Sequence, residues 1–315
     1  MPRVPIRPMV AALLLASCAP ASHAPPAPAT PVTAPRPAAQ FPSPMVESAR
    51  AHERLRPSDL PGTARTIPGP AARPVAILVP HAARARDSVD VVIHFHGASW
   101  LTERAVSDLG DGTVAATLNL GAGSGAYDRP FADAAVFDTL LAAIAREVAA
   151  VTGRATPLRH VTLSGFSAGH GAIRRILRVP RHADRVDAVL LLDGMHTSYV
   201  PEGRVLADSG MIDSTNLVSL TAFARRAMAG EKRMLVTHSE IFPGTYASTT
   251  ETADWMLGAL GLPRHATLAW GPRGMQQLSE AQAGRFTLLG FAGNSAPDHV
   301  DHQHAMPELL ARLWQ

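Results

Sequence analysis

The stretch Val161-Thr-Leu-Ser164-Gly165-Phe-Ser167-Ala-Gly169-His-Gly171 is an apolar run that enters a serine set between two glycines and continues into helix-forming sequence, Ala168 to Leu177. A strand that reverses sharply into a helix strains the backbone at the turn, and glycines two residues on either side remove side chains that would clash across it. The Ser167 hydroxyl is thereby lifted above the end of a sheet, as in a nucleophile elbow. In a chain with 24 glycines the Gly-x-Ser-x-Gly spacing alone is weak. The β-branched strand before it and the helical run after it give it meaning. The competing reading is a plain strand-to-helix turn in which Ser167 only caps the helix.

Outward from this turn, apolar strands alternate with amphipathic helices. Strands are expected at Ala76 to Val79, Val89 to Phe95 and Val114 to Leu120, and then at Val161 to Leu163, Val186 to Leu192, Met234 to Thr237 and Phe286 to Phe291. A helix is expected over Phe131 to Val151, where Phe137, Leu140, Leu141, Ile144, Val148 and Val151 recur at helical spacing. Others are expected over residues 168–178, over Ser248 to Leu260, opened by the capping box Ser248-Thr-Thr-Glu251, and over Pro307 to Trp314. Such alternation predicts an α/β fold, a mostly parallel sheet covered by helices on both faces. Ligands of such sheets bind at the carboxyl ends of the strands. There Val91-Val-Ile-His94-Phe-His96-Gly97-Ala98 ends a strand in a glycine-containing turn. Backbone N–H groups of such a turn can hold a negative oxygen, and Ala98 and Ala168 are the candidate donors, with Gly97 permitting close approach.

On these residues, roughly 70 to 315 resemble the α/β-hydrolase superfamily: His96-Gly97, the Gly165-Phe-Ser167-Ala-Gly169 elbow, an acid at a later strand end and a histidine before the last helix stand in that family's order. The resemblance implies the three-layer α/β-hydrolase fold. It also implies a serine hydrolase acting through an acyl-enzyme, with a carboxylic ester as the expected substrate and no metal or organic cofactor required. Two acids fit the family's position. Asp193 is preferred because it directly follows the buried run Val186 to Leu192 and precedes Gly194; Glu240, after the next strand, is the alternative. The histidine falls in Asn294-Ser-Ala-Pro-Asp298-His299-Val-Asp301-His302-Gln-His304, expected as a loop before the last helix. His302 is chosen over His299 as nearer the helix start, with His304 third. Trp100 and the loops 121–131, 194–215 and 241–250 carry Tyr127, Phe131, Met195, Tyr199, Met211, Phe242 and Tyr246, from which an apolar pocket and an uncharged or acyl-bearing substrate are expected.

Two competing readings follow from the same residues. His94 and His96, placed on one strand face with the histidines and aspartates of 298–304, could ligate a metal. The resemblance to metallo-β-lactamase-like hydrolases fails, however, where Gly97-Ala98-Ser99 stands in place of x-Asp-His. A non-catalytic surface lipoprotein that keeps the scaffold for binding would lack the nucleophile, base or oxyanion turn, and none is evidently missing.

The first residues read as an export signal: Arg3 and Arg7, then an apolar Met9 to Ala16 far too short to span a bilayer. Leu15-Ala-Ser-Cys18 resembles a bacterial lipobox, which implies a signal peptide over 1–17 and acylation of Cys18. Cleavage near Ala21-Ser-His-Ala24 is the alternative. Cys18 is the one cysteine, so no internal disulfide can form. An Ala/Pro-rich tether over 18–45 then leads to a single domain over 46–315. The expected location is the cell envelope, lipid-anchored, facing periplasm or exterior. The formal charge of +3 includes Arg3 and Arg7, and no basic run alternates with aromatic residues, which argues against nucleic-acid binding.

Overall fold

The computed structural model describes residues 51–315; the signal peptide, Cys18 and the tether lie outside them. The strands are β1 (Gly62–Pro68), β2 (Pro74–Pro80), β3 (Val89–Phe95), β4 (Val114–Leu118), β5 (Leu158–Phe166), β6 (Ala188–Leu192), β7 (Tyr199–Val200), β8 (Met211–Ile212), β9 (Arg233–His238), β10 (His265–Trp270), β11 (Gln276–Ala283) and β12 (Phe286–Phe291). The helices are α1 (Ser99–Leu109), α2 (Ser124–Asp128), α3 (Ala134–Thr152), α4 (His170–Ile176), α5 (Pro180–Arg185), α6 (Val218–Met228), α7 (Thr249–Leu260), α8 (Ala296–His304) and α9 (Met306–Trp314).

Ten strands form one sheet in the order β1-β2-β4-β3-β5-β6-β9-β12-β11-β10, and β7 pairs with β8 apart from it. The run from β4 to β12 is parallel throughout. Antiparallel strands close both sides, β2 and β1 at one and β11 and β10 at the other. Residues of the central strands alternate between two cores, as the two-residue period of a strand requires. In β6, Val189 and Leu191 face the core holding Phe137, Ile144, Ile173 and Phe223, whereas Leu190 and Leu192 face the one holding Val106, Met306, Leu310 and Leu313. Helices α3, α4, α6 and α7 therefore cover one face and α1 and α9 the other, the three-layer arrangement of the α/β-hydrolase fold. The chain runs from β3 to β4, then returns past β3 to β5 and onward in the opposite direction. The topological switch point, where ligands of such sheets bind, is thus between the carboxyl ends of β3 and β5.

The expected strands are present: those at 74–80, 158–166 and 233–238 are longer than their apolar runs, and those at 114–118 and 188–192 are shorter. Helix α3 starts at Ala134 rather than at Phe131 because the Asp133 side chain caps it, accepting Ala135 N–H at 2.9 Å, and it stops at the left-handed Gly153. The capping box of α7 forms as expected. Three differences have local causes. Strand β10 has almost no buried residue and so no inward–outward alternation. Helix α1 buries only Leu101, Thr102, Ala105 and Val106. The segment expected as a loop before the last helix is helix α8, opened by Ser295, which takes Asp298 N–H while the Asp298 carboxylate takes Ser295 N–H at 3.0 Å, with a proline in the first turn.

Candidate active site

Three adjacent parallel strands end in non-glycine residues with left-handed backbone: His96 after β3 (φ 73°), Ser167 after β5 (φ 48°) and Asp193 after β6 (φ 43°). Each such residue costs roughly 1–3 kcal/mol and persists only where its surroundings over-determine it. Here they do. A Cβ on Gly169 would lie 2.0 Å from the Phe95 carbonyl oxygen, and one on Gly194 would lie 2.6 Å from the Ser167 carbonyl oxygen. The turns after β3, β5 and β6 are thus packed backbone against backbone, and the small residues around Ser167 are required by contact as well as by curvature.

Asp193 is buried, 1% exposed, and its carboxylate accepts four hydrogen bonds. Oδ1 takes Ser239 N–H at 2.9 Å and the Thr249 hydroxyl at 2.6 Å; Oδ2 takes the Ser239 hydroxyl at 2.7 Å and His299 Nδ1 at 2.6 Å. Burial alone would raise its pKa. The charge of His302 and the bonds from His299 and Thr249 outweigh burial and hold the acid well below the usual carboxylate range. An ionised carboxylate can only accept, so His299 carries its proton on Nδ1 and presents Nε2 as a base. The His299 ring lies against Phe166, centroids 4.5 Å apart.

The geometry brings His299 against Asp193, and not His302, the one chosen from sequence. His302 is 1% exposed, lies edge-on to Phe291, and its Nδ1 is bonded to Thr237 Oγ1 at 2.8 Å. It is three residues beyond His299 on α8, on the side turned into the sheet. His304 accepts Leu55 N–H at 3.0 Å, away from Asp193. Glu240 is exposed, with its backbone N–H on the Gly293 carbonyl. The helical state of 296–304 explains the mischoice: proximity to the helix start has no meaning where both imidazoles are already inside a helix.

Gly97 has φ 129° and leaves no room for a side chain, since a Cβ there would lie 1.6 Å from Gln303 Nε2. Its N–H donates to Asn119 Oδ1 at 2.8 Å and its carbonyl accepts Asn119 Nδ2 at 2.6 Å. Asn119 thus holds the turn that presents Ala98, a role that no sequence motif marked. Gln303, which the same turn packs against, escaped notice too. Ala168 lines a cavity of about 450 Å³ together with Ser167, His96, Ser124, His170, Arg174, His196, Thr197, Ser198, Asn216 and Tyr246, among others.

The residues expected from loop composition to shape the cavity mostly do not line it. Tyr127, Phe131, Met195 and Tyr199 turn inward to the core, Met211 and Phe242 are exposed, and Tyr246 alone of that set lines the cavity. Its imidazoles are kept neutral mainly by burial, which lowers His96 and His196 and brings His170 to about 3. His96 is fixed by the Tyr127 hydroxyl at 2.8 Å.

The metal arrangement considered from sequence does not assemble. His94 is fully buried with Nδ1 on Ser164 Oγ at 3.0 Å, while the left-handed backbone at His96 breaks the strand alternation and takes its ring to Tyr127. Among the described residues, the imidazole and carboxylate groups within reach of a common ion are His52, Asp298 and Asp301. Their atoms are engaged otherwise: His52 Nδ1 lies 2.7 Å and Arg54 Nε 2.9 Å from Asp301, and Asp298 caps α8.

No family model matches the chain, and no curated protein matches it. Solved structures do. An S-formylglutathione hydrolase from Agrobacterium tumefaciens is 13% identical, covers 83% of this chain and 99% of its own, with a TM-score of 0.47. Esterase 2 of Thermogutta terrifontis, solved phosphonylated by cyclosarin, is 15% identical over 82% of this chain and 97% of its own, at 0.43. A cold-adapted esterase from an Arctic intertidal metagenomic library is 14% identical over 82% of this chain and 100% of its own, at 0.41. At these identities the likeness is one of fold.

Proposed function

We propose that this protein is a serine hydrolase that cleaves carboxylic esters through an acyl-enzyme. The observation that carries the reading is the 2.6 Å bond from His299 Nδ1 to the buried Asp193 carboxylate, at the strand end next to the strained Ser167. In the forward step Ser167 Oγ bonds to the acyl carbon as His299 Nε2 takes the serine proton. The oxygen of the tetrahedral intermediate is met by the N–H groups of Ala98 and Ala168. Collapse breaks the bond to the alcohol, which leaves with the proton from His299. Water then enters through the same base, and Ser167 is released with its proton restored. Asp193 holds the Nδ1–H tautomer throughout and stabilises the imidazolium as it forms.

The test is the intact mass of the purified protein after a fluorophosphonate probe, beside Ser167→Ala. One adduct that disappears in the variant is the expected result; a folded protein that takes no adduct leaves a binding role as the better reading. We propose in addition, from the sequence alone, that acylated Cys18 holds the protein to a bilayer in the cell envelope. Partition into the detergent phase that is lost in Cys18→Ala would support this, and unchanged partition would overturn it.

A further inference from the structure

Resting on the serine-hydrolase reading, we propose that the preferred ester carries a carboxylate, which Arg174 binds at the far end of the cavity from the reacting bond. His170 and Arg174 are four residues apart on α4 and so share one face, and Ser167 stands in the turn that leads into that helix. Arg174 lies one turn, about 6 Å along the axis, beyond His170. All three line the cavity, and no acidic side chain lines it among the described residues.

Arg174 is built to leave its charge available. Asp128 serves two arginines: its Oδ1 takes both Nε and Nη2 of Arg175, at 3.0 and 2.6 Å, and its Oδ2 takes Nε of Arg174 at 3.0 Å. One carboxylate against two guanidiniums leaves a net positive charge. Asp128 is the single hydrogen-bond partner of the Arg174 side chain among the described residues, and it engages Nε alone. The guanidinium is nevertheless well enclosed, with 11% of the side chain exposed. A clamp between α2 and α4 would need only the Arg175 fork. The free edge of Arg174 carries two parallel donors, which match the two oxygens of a carboxylate. His170 does not compete for the anion: its Nδ1–H is given to the Ser167 carbonyl at 2.8 Å and its Nε2 has no partner. With the imidazoles neutral, Arg174 is the standing charge of the wall. A five-carbon acyl chain ending in carboxylate is the probe of that reach.

The experiment compares monoethyl glutarate with ethyl pentanoate, followed by ethanol release, in the full-length protein, Arg174→Met and Arg174→Lys. Parallel calorimetry measures the binding of glutarate and of its neutral diamide. Wild type should favour the half-ester by about tenfold or more in kcat/KM, mainly through KM. Arg174→Met should lower that ratio about tenfold and abolish glutarate binding, whereas Arg174→Lys should keep part of both. Fluorophosphonate labelling and thermal melting show whether each variant is folded with a reactive serine. An equal or inverted ester preference in wild type, or a ratio unchanged in a folded Arg174→Met, would overturn the proposal. If the serine takes no probe and neither ester is cleaved, the hydrolase reading fails, and calorimetry still decides the carboxylate site: glutarate bound no better than its diamide overturns it.

Discussion

Asp193→Asn separates catalytic orientation from support of the fold, because the geometry dictates how the amide must sit. Four donors converge on the carboxylate. Of these, the Ser239 backbone N–H cannot turn away, so the asparagine oxygen must take the Oδ1 position and keep Ser239 N–H and the Thr249 hydroxyl. The new NH2 then faces the Ser239 hydroxyl and His299 Nδ1. The hydroxyl rotates and accepts. The imidazole accepts only by moving its proton to Nε2, and in that tautomer it cannot take a proton from Ser167. Lost charge-assisted bonds within a satisfied network should cost about 1–3 kcal/mol, and the protein should remain folded. Turnover of p-nitrophenyl acetate should fall on the order of 10⁴-fold. Stability also changes with pH in a defined sense. The acid is held below its ordinary 3.8 in the folded state, so its contribution is fully present above that value and is lost as pH falls through and below it. Chemical denaturation of the wild type between pH 6 and 3 should show that loss, and Asp193→Asn should show a flatter acid limb. A folded variant that keeps more than a tenth of wild-type kcat would refute the assignment of Asp193.

Four further expectations follow from the packing around the strand ends. His299→Gln should lose ~10³-fold in kcat with a near-normal melting temperature, whereas His302→Gln, which can keep a bond to Thr237, should act chiefly on stability; the reverse pattern in paired kinetics and melts would restore His302 as the base. Gly169→Ala should destabilise by about 3 kcal/mol in urea titrations although the site is helical and alanine is the better helix former, because the clash is with the Phe95 carbonyl rather than with a movable side chain. Asn119→Ala frees the Gly97 turn and should lower kcat about tenfold for about 1 kcal/mol of stability, since the pair is exposed and its worth is in orientation. Arg54→Met should cost about 1 kcal/mol in the same titrations, since Arg54 is 31% exposed and His52 still meets the buried Asp301.

The sheet was readable because its central strands are bounded apolar runs, and the elbow because its glycines are forced by contact. Asp193 was readable for the same reason, as the first polar residue after five buried ones. The flanking strands were not: β10 buries almost nothing, and an edge strand whose residues face water on both sides carries no period. Helix α8 left a signal that was passed over, Ser295-Ala-Pro-Asp298, which has the spacing of a capping box and a proline where a first turn tolerates it. That signal places His299 and His302 three residues apart on one helix, about 60° apart around the axis and so on neighbouring positions of one face. Which of them met Asp193 still depended on how α8 lies across β9 and β12. The residues that line the cavity were not legible for a related reason. Composition says which residues a loop contains, and only packing says that Tyr127 and Phe131 turn to the core while Arg174 of the elbow helix lines the cavity.

The three strained strand ends explain why this site is built on the sheet rather than on its loops. Left-handed backbone at His96, Ser167 and Asp193 sums to several kcal/mol by the usual magnitudes, comparable with the whole stability of an ordinary domain. Such strain relaxes wherever the chain can move. Strands β3, β5 and β6 cannot, because each is hydrogen-bonded on both sides within the parallel run and packed by apolar residues on both faces. Their ends are therefore fixed points, and Gly169 on Phe95 and Gly194 on Ser167 tie each turn to the next. Ser167 and Asp193 are held in this way, each within one residue of a buried strand. His299 is the exception: it comes from α8, a separate helix docked by its own capping box and by His52 and Arg54 gripping Asp301. Mild destabilisation should accordingly show first as a loss of activity through α8, before the sheet melts. Hydrogen exchange should show the amides of 299–304 opening at lower free energy than those of β5 and β6. Equal protection of all three would mean that α8 belongs to the same cooperative unit as the sheet, and that His299 is as firmly fixed as Ser167.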